Sequence, residues 1–163
     1  MKANLIVSPQ TKSINGYLNI SQNGVYNGEN DRVAGDLADL SSLVDTNELS
    51  ELLCIDIINF YPLQVVQKVL SYWSTLIKHG GTMIVSALDL QEAARLISLG
   101  NITDIVQTNL LIYGQVSNVW SIRKSWTPLI DIQNMLIGNG QFDIIQVKFS
   151  NDGLFFYLTV RRK

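Results

Sequence analysis

Cysteine, histidine and proline are scarce in this chain of 163 residues, which carries one cysteine (Cys54), one histidine (His79) and three prolines. A single cysteine excludes an internal disulfide and any multi-cysteine metal centre. Cys54 lies in the apolar run 52–55, where a thiol is a small buried hydrophobe rather than a nucleophile. A single histidine leaves a histidine metal cluster and a Ser–His–Asp triad without the residues they need, so no metal site is expected. Excess positive charge is also missing. Twelve Lys and Arg face 14 Asp and Glu, a net charge of -2, which argues against binding to nucleic acid or anionic lipid through charge. The one basic cluster, 161–163, reads as a solvated strand end. No apolar run reaches the ~20 residues that span a bilayer, and no signal-peptide pattern opens the chain. The expectation is a soluble, cytoplasmic protein without nucleic-acid or membrane partners. Phosphate-cradling glycine motifs are absent too.

A hydrophobic fraction of 47% is enough for a core, and the length suits a single domain, 1–163. The clearest element is 62–78, where Leu63, Val66, Val69, Leu70, Trp73, Leu76 and Ile77 recur at three- and four-residue steps and predict a helix. Pro62 suits its first turn; Lys78 and His79 are expected in its last turn, with Gly80-Gly81 as the exit. Apolar runs on either side, ELLCIDII and TMIVSALD, predict parallel strands covered on both faces. Asp89 then caps a helix that stops at Gly100. A short helix is weighed for 103–112. Thr127 is expected as N-cap of a last helix, 129–137, with Pro128 in its first position. Two final strands joined through Ser150-Asn151-Asp152-Gly153 predict an antiparallel hairpin. The segment 22–31, rich in Asn and Gly, reads as a flexible loop. The fold class is therefore α/β, a mostly parallel sheet ending in an antiparallel hairpin.

Several stretches, in order, carry a resemblance: Asn4-Leu5, Gly16-Tyr17-Leu18-Asn19-Ile20, AGDLADL at 34–40, WSTLIKHGG at 73–81, Asp89-Leu90, Tyr113-Gly114 and NGQFDII at 139–145. Together they resemble the class I S-adenosylmethionine-dependent methyltransferases, especially their small single-domain members. The resemblance implies a methyltransferase-like (Rossmann-like) sheet, here truncated in its N-terminal half. About nine residues separate the first two strands, too few for the usual crossover helix of ~10–12 residues.

The departures fall where that family holds its cofactor. Ile6 and Ser8 stand where the family has glycines, and a β-branched residue takes positive φ only at ~1–2 kcal/mol. Pro9 lacks an N–H that could meet a carboxylate. Ser21 replaces the acid that accepts both ribose hydroxyls, and a serine offers one neutral hydrogen bond of roughly 0.5–1.5 kcal/mol. Residues 56–60 replace the family's histidines and glutamate. Asp36 and Leu37 survive at the adenine position, although Asp36 also suits a plain turn acid. Asp56 is the acid at the end of the fourth strand, where open α/β sheets bind ligands, and also suits a solvated strand end.

Trp120, Arg123, Lys124 and Trp126 interleave aromatic and basic side chains. Such a pattern stacks on a base or sugar, packs as a lid, or anchors a protein interface; interface or packing is the favoured use of Trp120, Arg123 and Trp126. Two functions follow. One is a methyltransferase homologue that has lost its cofactor and acts as a binding or assembly partner, with another protein or with its own copies. The other is an active methyltransferase on a small molecule or glycan, holding S-adenosylmethionine through the backbone of 6–10, Ser21, Asp36, Leu37 and Asp56. No catalytic residue is assigned under either.

Overall fold

The computed structural model describes all residues except 9–10, 24–30, 116–118 and 139. Pro9, Gln10, Asn139 and most of the expected flexible loop therefore lie outside the described residues. Seven strands form one sheet: β1 (Lys2–Ile6), β2 (Leu18–Gln22), β3 (Arg32–Gly35), β4 (Leu49–Ile55), β5 (Ile77–Leu88), β6 (Phe142–Phe149) and β7 (Phe155–Arg162). The spatial order is β3-β2-β1-β4-β5-β7-β6. β1 to β5 run parallel, and β7 pairs antiparallel with both β5 and β6, which is the expected terminal hairpin. The described part of the connection 7–17 between β1 and β2 contains no helix.

The helices are α1 (Leu63–Leu76), α2 (Leu90–Ser98), α3 (Ile105–Tyr113) and α4 (Leu129–Ile137). α1 buries Val66, Val69, Leu70, Trp73 and Leu76 of the stripe expected from its spacing, whereas Leu63 in its first turn is 55% exposed. Each such side chain contributes roughly 1.5–3 kcal/mol when fully buried. The stripe meets Leu52, Cys54, Met83, Val85, Leu158 and Val160 of the sheet in one core shared with Ile132 and Leu136 of α4. On the opposite face Glu51, Ile84, Tyr157 and Thr159 stay half-exposed. The expectation of strands covered on both faces holds toward their carboxyl ends, where Leu53, Ser86 and Leu88 are buried on this face too, and is corrected at Glu51 and Ile84. The apolar runs in β4 and β5 have one face on α1 and α4, while the other face is partly open.

α1 also ends earlier than its pattern suggests. Ile77 is already extended, with φ -79° and ψ 130°, and pairs with Leu49. The stretch 78–81 then bulges out of β5 before Thr82 pairs with Glu51, and Gly80 takes φ +74°. A β-branched residue at a strand edge gains more from the ladder than from one further helical turn. His79 consequently bonds through Nδ1 with the Lys163 carbonyl and caps no helix. Arg162, read as part of a solvated end, turns inward instead and donates to Asn47 Oδ1 at 2.6 Å.

Asp89 caps α2 as expected, its carboxylate accepting from the Gln91 and Glu92 amides at 3.1 and 3.2 Å. α4 differs by one residue: Pro128 occupies the N-cap, with no side-chain capping bond, and Thr127 stands outside. Cys54 is fully buried, and burial pushes its thiol well above the usual range. Alkylating reagents should therefore leave the native protein unmodified and label it once after unfolding. Labelling of the folded chain in a mass spectrum would contradict the packing described.

Candidate functional site

Ligands of open α/β sheets bind beyond the carboxyl ends of the strands, where the order reverses, here at β1 and β4. A cavity of about 270 Å³ opens there, lined among others by Val7, Ser8, Thr11, Asp56, Phe60, Arg123 and Phe155. α3 roofs it with Gln107, Leu110 and Leu111, and the segment 119–125 closes one side with Ser121 and Arg123. Its volume falls just under the ~300–1,000 Å³ usual for small-molecule sites.

Asp56 and Arg123 dominate its electrostatics. Asp56 follows β4 in a left-handed backbone conformation, φ +52°, one of the few that aspartate tolerates. Its amide donates to the Ser86 carbonyl at 3.0 Å, which ties the turn to the end of β5. Arg123 grips the carboxylate with both terminal nitrogens, at 2.6 and 2.8 Å. The Arg123 side chain is 5% exposed and that of Asp56 31%. The guanidinium carbon lies 5.1 Å from the Phe60 ring centre and 5.8 Å from that of Phe155, so two aromatic faces support it. A bidentate pair of this kind holds position as well as charge.

Burial pushes the Asp56 carboxyl above its ordinary range, and Arg123 offsets only part of that rise. A carboxyl with a raised folded-state pKa binds its proton more readily when folded. Folding therefore gains stability as pH falls through that pKa, and loses it as the group ionises. Arg123→Met removes the offset, so Asp56 should titrate higher than in the parent and the gain on acidification should grow. The carboxyl carbon shift followed by NMR reads this directly; an unchanged titration would contradict the pairing.

The other sequence-expected residues lie elsewhere. Ile6 and Ser21 sit side by side in the β1–β2 register, 1% and 0% exposed, so both are interior residues of the sheet. Ser21 Oγ has no hydrogen-bond partner among the described residues. Asp36 is exposed and makes a local turn, its carboxylate accepting from the Ala38 amide at 3.0 Å. Leu37 is fully buried and its peptide is held on both sides. Its amide donates to Gln22 Oε1 at 3.0 Å, and its carbonyl accepts from Trp73 Nε1 at 2.8 Å. Of the six expected cofactor contacts, Ser8 and Asp56 line the cavity; Ile6, Ser21, Asp36 and Leu37 do not.

Among the expected interface anchors, Arg123 is turned inward to Asp56. Trp120 is half-exposed with the Lys124 ammonium 4.9 Å from its ring centre, and Trp126 is half-buried beside a second cavity. Sequence reasoning missed Gln22 as the acceptor for Leu37. It named Asp56 and Arg123 separately but not as a pair, because 67 positions separate them.

No protein-family model matches this chain, and no curated protein matches it. Solved structures do. An S-adenosylmethionine-dependent methyltransferase from Archaeoglobus fulgidus superposes with a TM-score of 0.63 at 8% identity, over 99% of this chain and 85% of that one. Magnesium protoporphyrin IX methyltransferase from Synechocystis, with S-adenosylhomocysteine bound, gives 0.61 at 14% identity, over 99% and 74%. A chain from a complex of a Haloferax volcanii methyltransferase activator with a methyltransferase gives 0.60 at 10%, over 99% and 81%. The chain has the fold of the class I S-adenosylmethionine-dependent methyltransferases.

Proposed function

We propose that this chain keeps the methyltransferase fold but does not hold S-adenosylmethionine, and that it acts as a non-catalytic binding or assembly partner. The observation that carries this reading is the state of Leu37. Its amide, the group left to meet an adenine at that position, is already bonded to Gln22, and Gln22 is itself only 2% exposed. An adenine would have to displace a buried hydrogen bond, at a cost of ~1–3 kcal/mol for the acceptor left behind. Beside it Ser21 offers a hydroxyl inside the sheet where a ribose needs a surface carboxylate. The residues present therefore do not fit the cofactor.

The exterior supports a binding role. α3 buries none of its residues, and Ile105, Val106, Leu110 and Tyr113 are 72%, 63%, 46% and 52% exposed. An apolar helix left this open is a common protein-contact surface. The structural neighbour seen with a methyltransferase activator shows that a protein of this fold takes a protein partner.

A second reading, an active methyltransferase with a remodelled pocket, draws on the cavity beside Asp56. Calorimetric titration with S-adenosylmethionine and S-adenosylhomocysteine separates the two. Absence of binding heat up to millimolar ligand is expected, and saturable binding of either would overturn the proposal.

A further inference from the structure

β6 ends the sheet, and among the described residues it pairs with β7 alone, so its outer edge carries no partner strand. The Gln141 carbonyl accepts from the Lys163 amide at 2.9 Å, and the Ser150 amide donates to the Phe155 carbonyl at 2.8 Å. Peptides along an antiparallel ladder point toward and away from the neighbour in alternation. Phe142, Ile144, Val147 and Phe149 therefore aim theirs away from β7. Such a row along an eight-residue strand is a template for another strand. Ile144, Val147 and Phe149 pair with Val160, Leu158 and Phe156, which places them on the core face of the sheet. Ile144 and Phe149 are nonetheless 38% and 55% exposed, so the apolar face runs out to the edge uncovered.

The strand that this edge fits is its own copy. Read antiparallel against itself, FDIIQVKF sets Phe142 opposite Phe149, Asp143 opposite Lys148 and Ile144 opposite Val147. A regular strand forbids that register, because residues an odd number of positions apart lie on opposite faces. β6 is not regular. Ile144 pairs with Val160 and Gln146 with Thr159, so Ile145 is an extra residue and the alternation slips by one. Phe142, Ile144, Val147 and Phe149 consequently share one face, while Asp143 and Lys148 share the other. Both charged residues are exposed; Asp143 meets Lys163 of its own chain at 3.2 Å, and its side chain stays 63% exposed. Edge charges and bulges ordinarily keep other strands away. Here the charges and the bulge match when the incoming strand is a second copy.

We propose that two copies of this chain join β6 to β6, antiparallel, about a two-fold axis between Ile145 and Gln146. Two Asp143–Lys148 pairs flank the seam on one face. On the other, Phe142, Ile144, Val147 and Phe149 of both copies form one apolar stripe. β5 and β7 lie between this edge and β4, so the pairing is independent of the Leu37 region and of whether S-adenosylmethionine binds.

Sedimentation velocity over a concentration series should give twice the 18.2 kDa of the chain. Asp143→Lys and Lys148→Asp each turn two opposite-charge pairs into like-charge pairs, and each should weaken association about tenfold or more. Mixing the two variants restores both pairs, so the equimolar mixture should form a heterodimer at concentrations where neither variant dimerises alone. Val147→Pro removes an outward amide without touching the β7 ladder and should leave a monomer, with circular dichroism confirming the fold. A monomeric parent, a dimer indifferent to the charge variants, or a mixture that stays monomeric would overturn the assignment.

Discussion

Replacing Trp73 with alanine is expected to cost about 3–5 kcal/mol of stability, the range for removing a large aromatic from a closed core. Trp73 is fully buried on α1, and its ring meets that of Tyr61 edge-on, with centroids 6.1 Å apart and planes at 75°. Its indole N–H also serves the Leu37 carbonyl, so the truncation orphans a buried acceptor as well as opening a cavity. Against a typical total of ~5–15 kcal/mol this is a large share. For a chain of this size it corresponds to a melting decrease of roughly 10 °C or more. Trp73→Phe keeps most of the volume and should cost about 1–2 kcal/mol, chiefly the hydrogen bond. Urea unfolding of the two variants separates packing from polar loss. A Trp73→Ala loss below about 1 kcal/mol would mean that α1 is not seated as described.

Gly114→Ala should be nearly as damaging, and its effect should reach the cavity beside Asp56. Gly114 closes α3 at φ +77°, where an added Cβ costs about 1–2 kcal/mol by itself. That Cβ would also lie 2.4 Å from the Ser121 carbonyl oxygen and 3.3 Å from the Phe60 ring. Gly114 bridges to Ile122, and the Arg123 amide donates to the Tyr113 carbonyl at 2.9 Å, so the crowded strand is the one that delivers Arg123 to Asp56. The segment has to shift. A loss of about 2–4 kcal/mol is expected, together with a weakened ion pair and a higher Asp56 titration. A variant that keeps parental stability and an unchanged Asp56 carboxyl would show that Gly114 does not hold the segment.

The frame of the fold was legible because its signals are local or strongly periodic. The three- and four-residue spacing along α1, the Asp89 cap and the Asn-Asp-Gly turn each act within a few residues. What local pattern could not supply were the long-range competitions. Ile77 continues the apolar stripe of α1, yet Leu49, far off in sequence, draws it into the sheet. Thr127 has the right chemistry for an N-cap, but Pro128 takes the position. At the site, the residue types at Ile6, Ser8 and Ser21 could be read directly, but not that Ile6 and Ser21 lie inside the sheet. The tertiary contacts could not be read either. Gln22 reaching Leu37 and Arg123 reaching Asp56 are tertiary hydrogen bonds across 15 and 67 positions, with no spacing rule to announce them.

The proposed loss of cofactor binding rests on the Leu37 amide being occupied from within, so that amide is the place to look. Its backbone resonance, followed by NMR while S-adenosylmethionine is titrated to millimolar concentration, should stay where it is, as should that of Ser21. A saturable shift at Leu37, with loss of its bond to Gln22, would contradict the account.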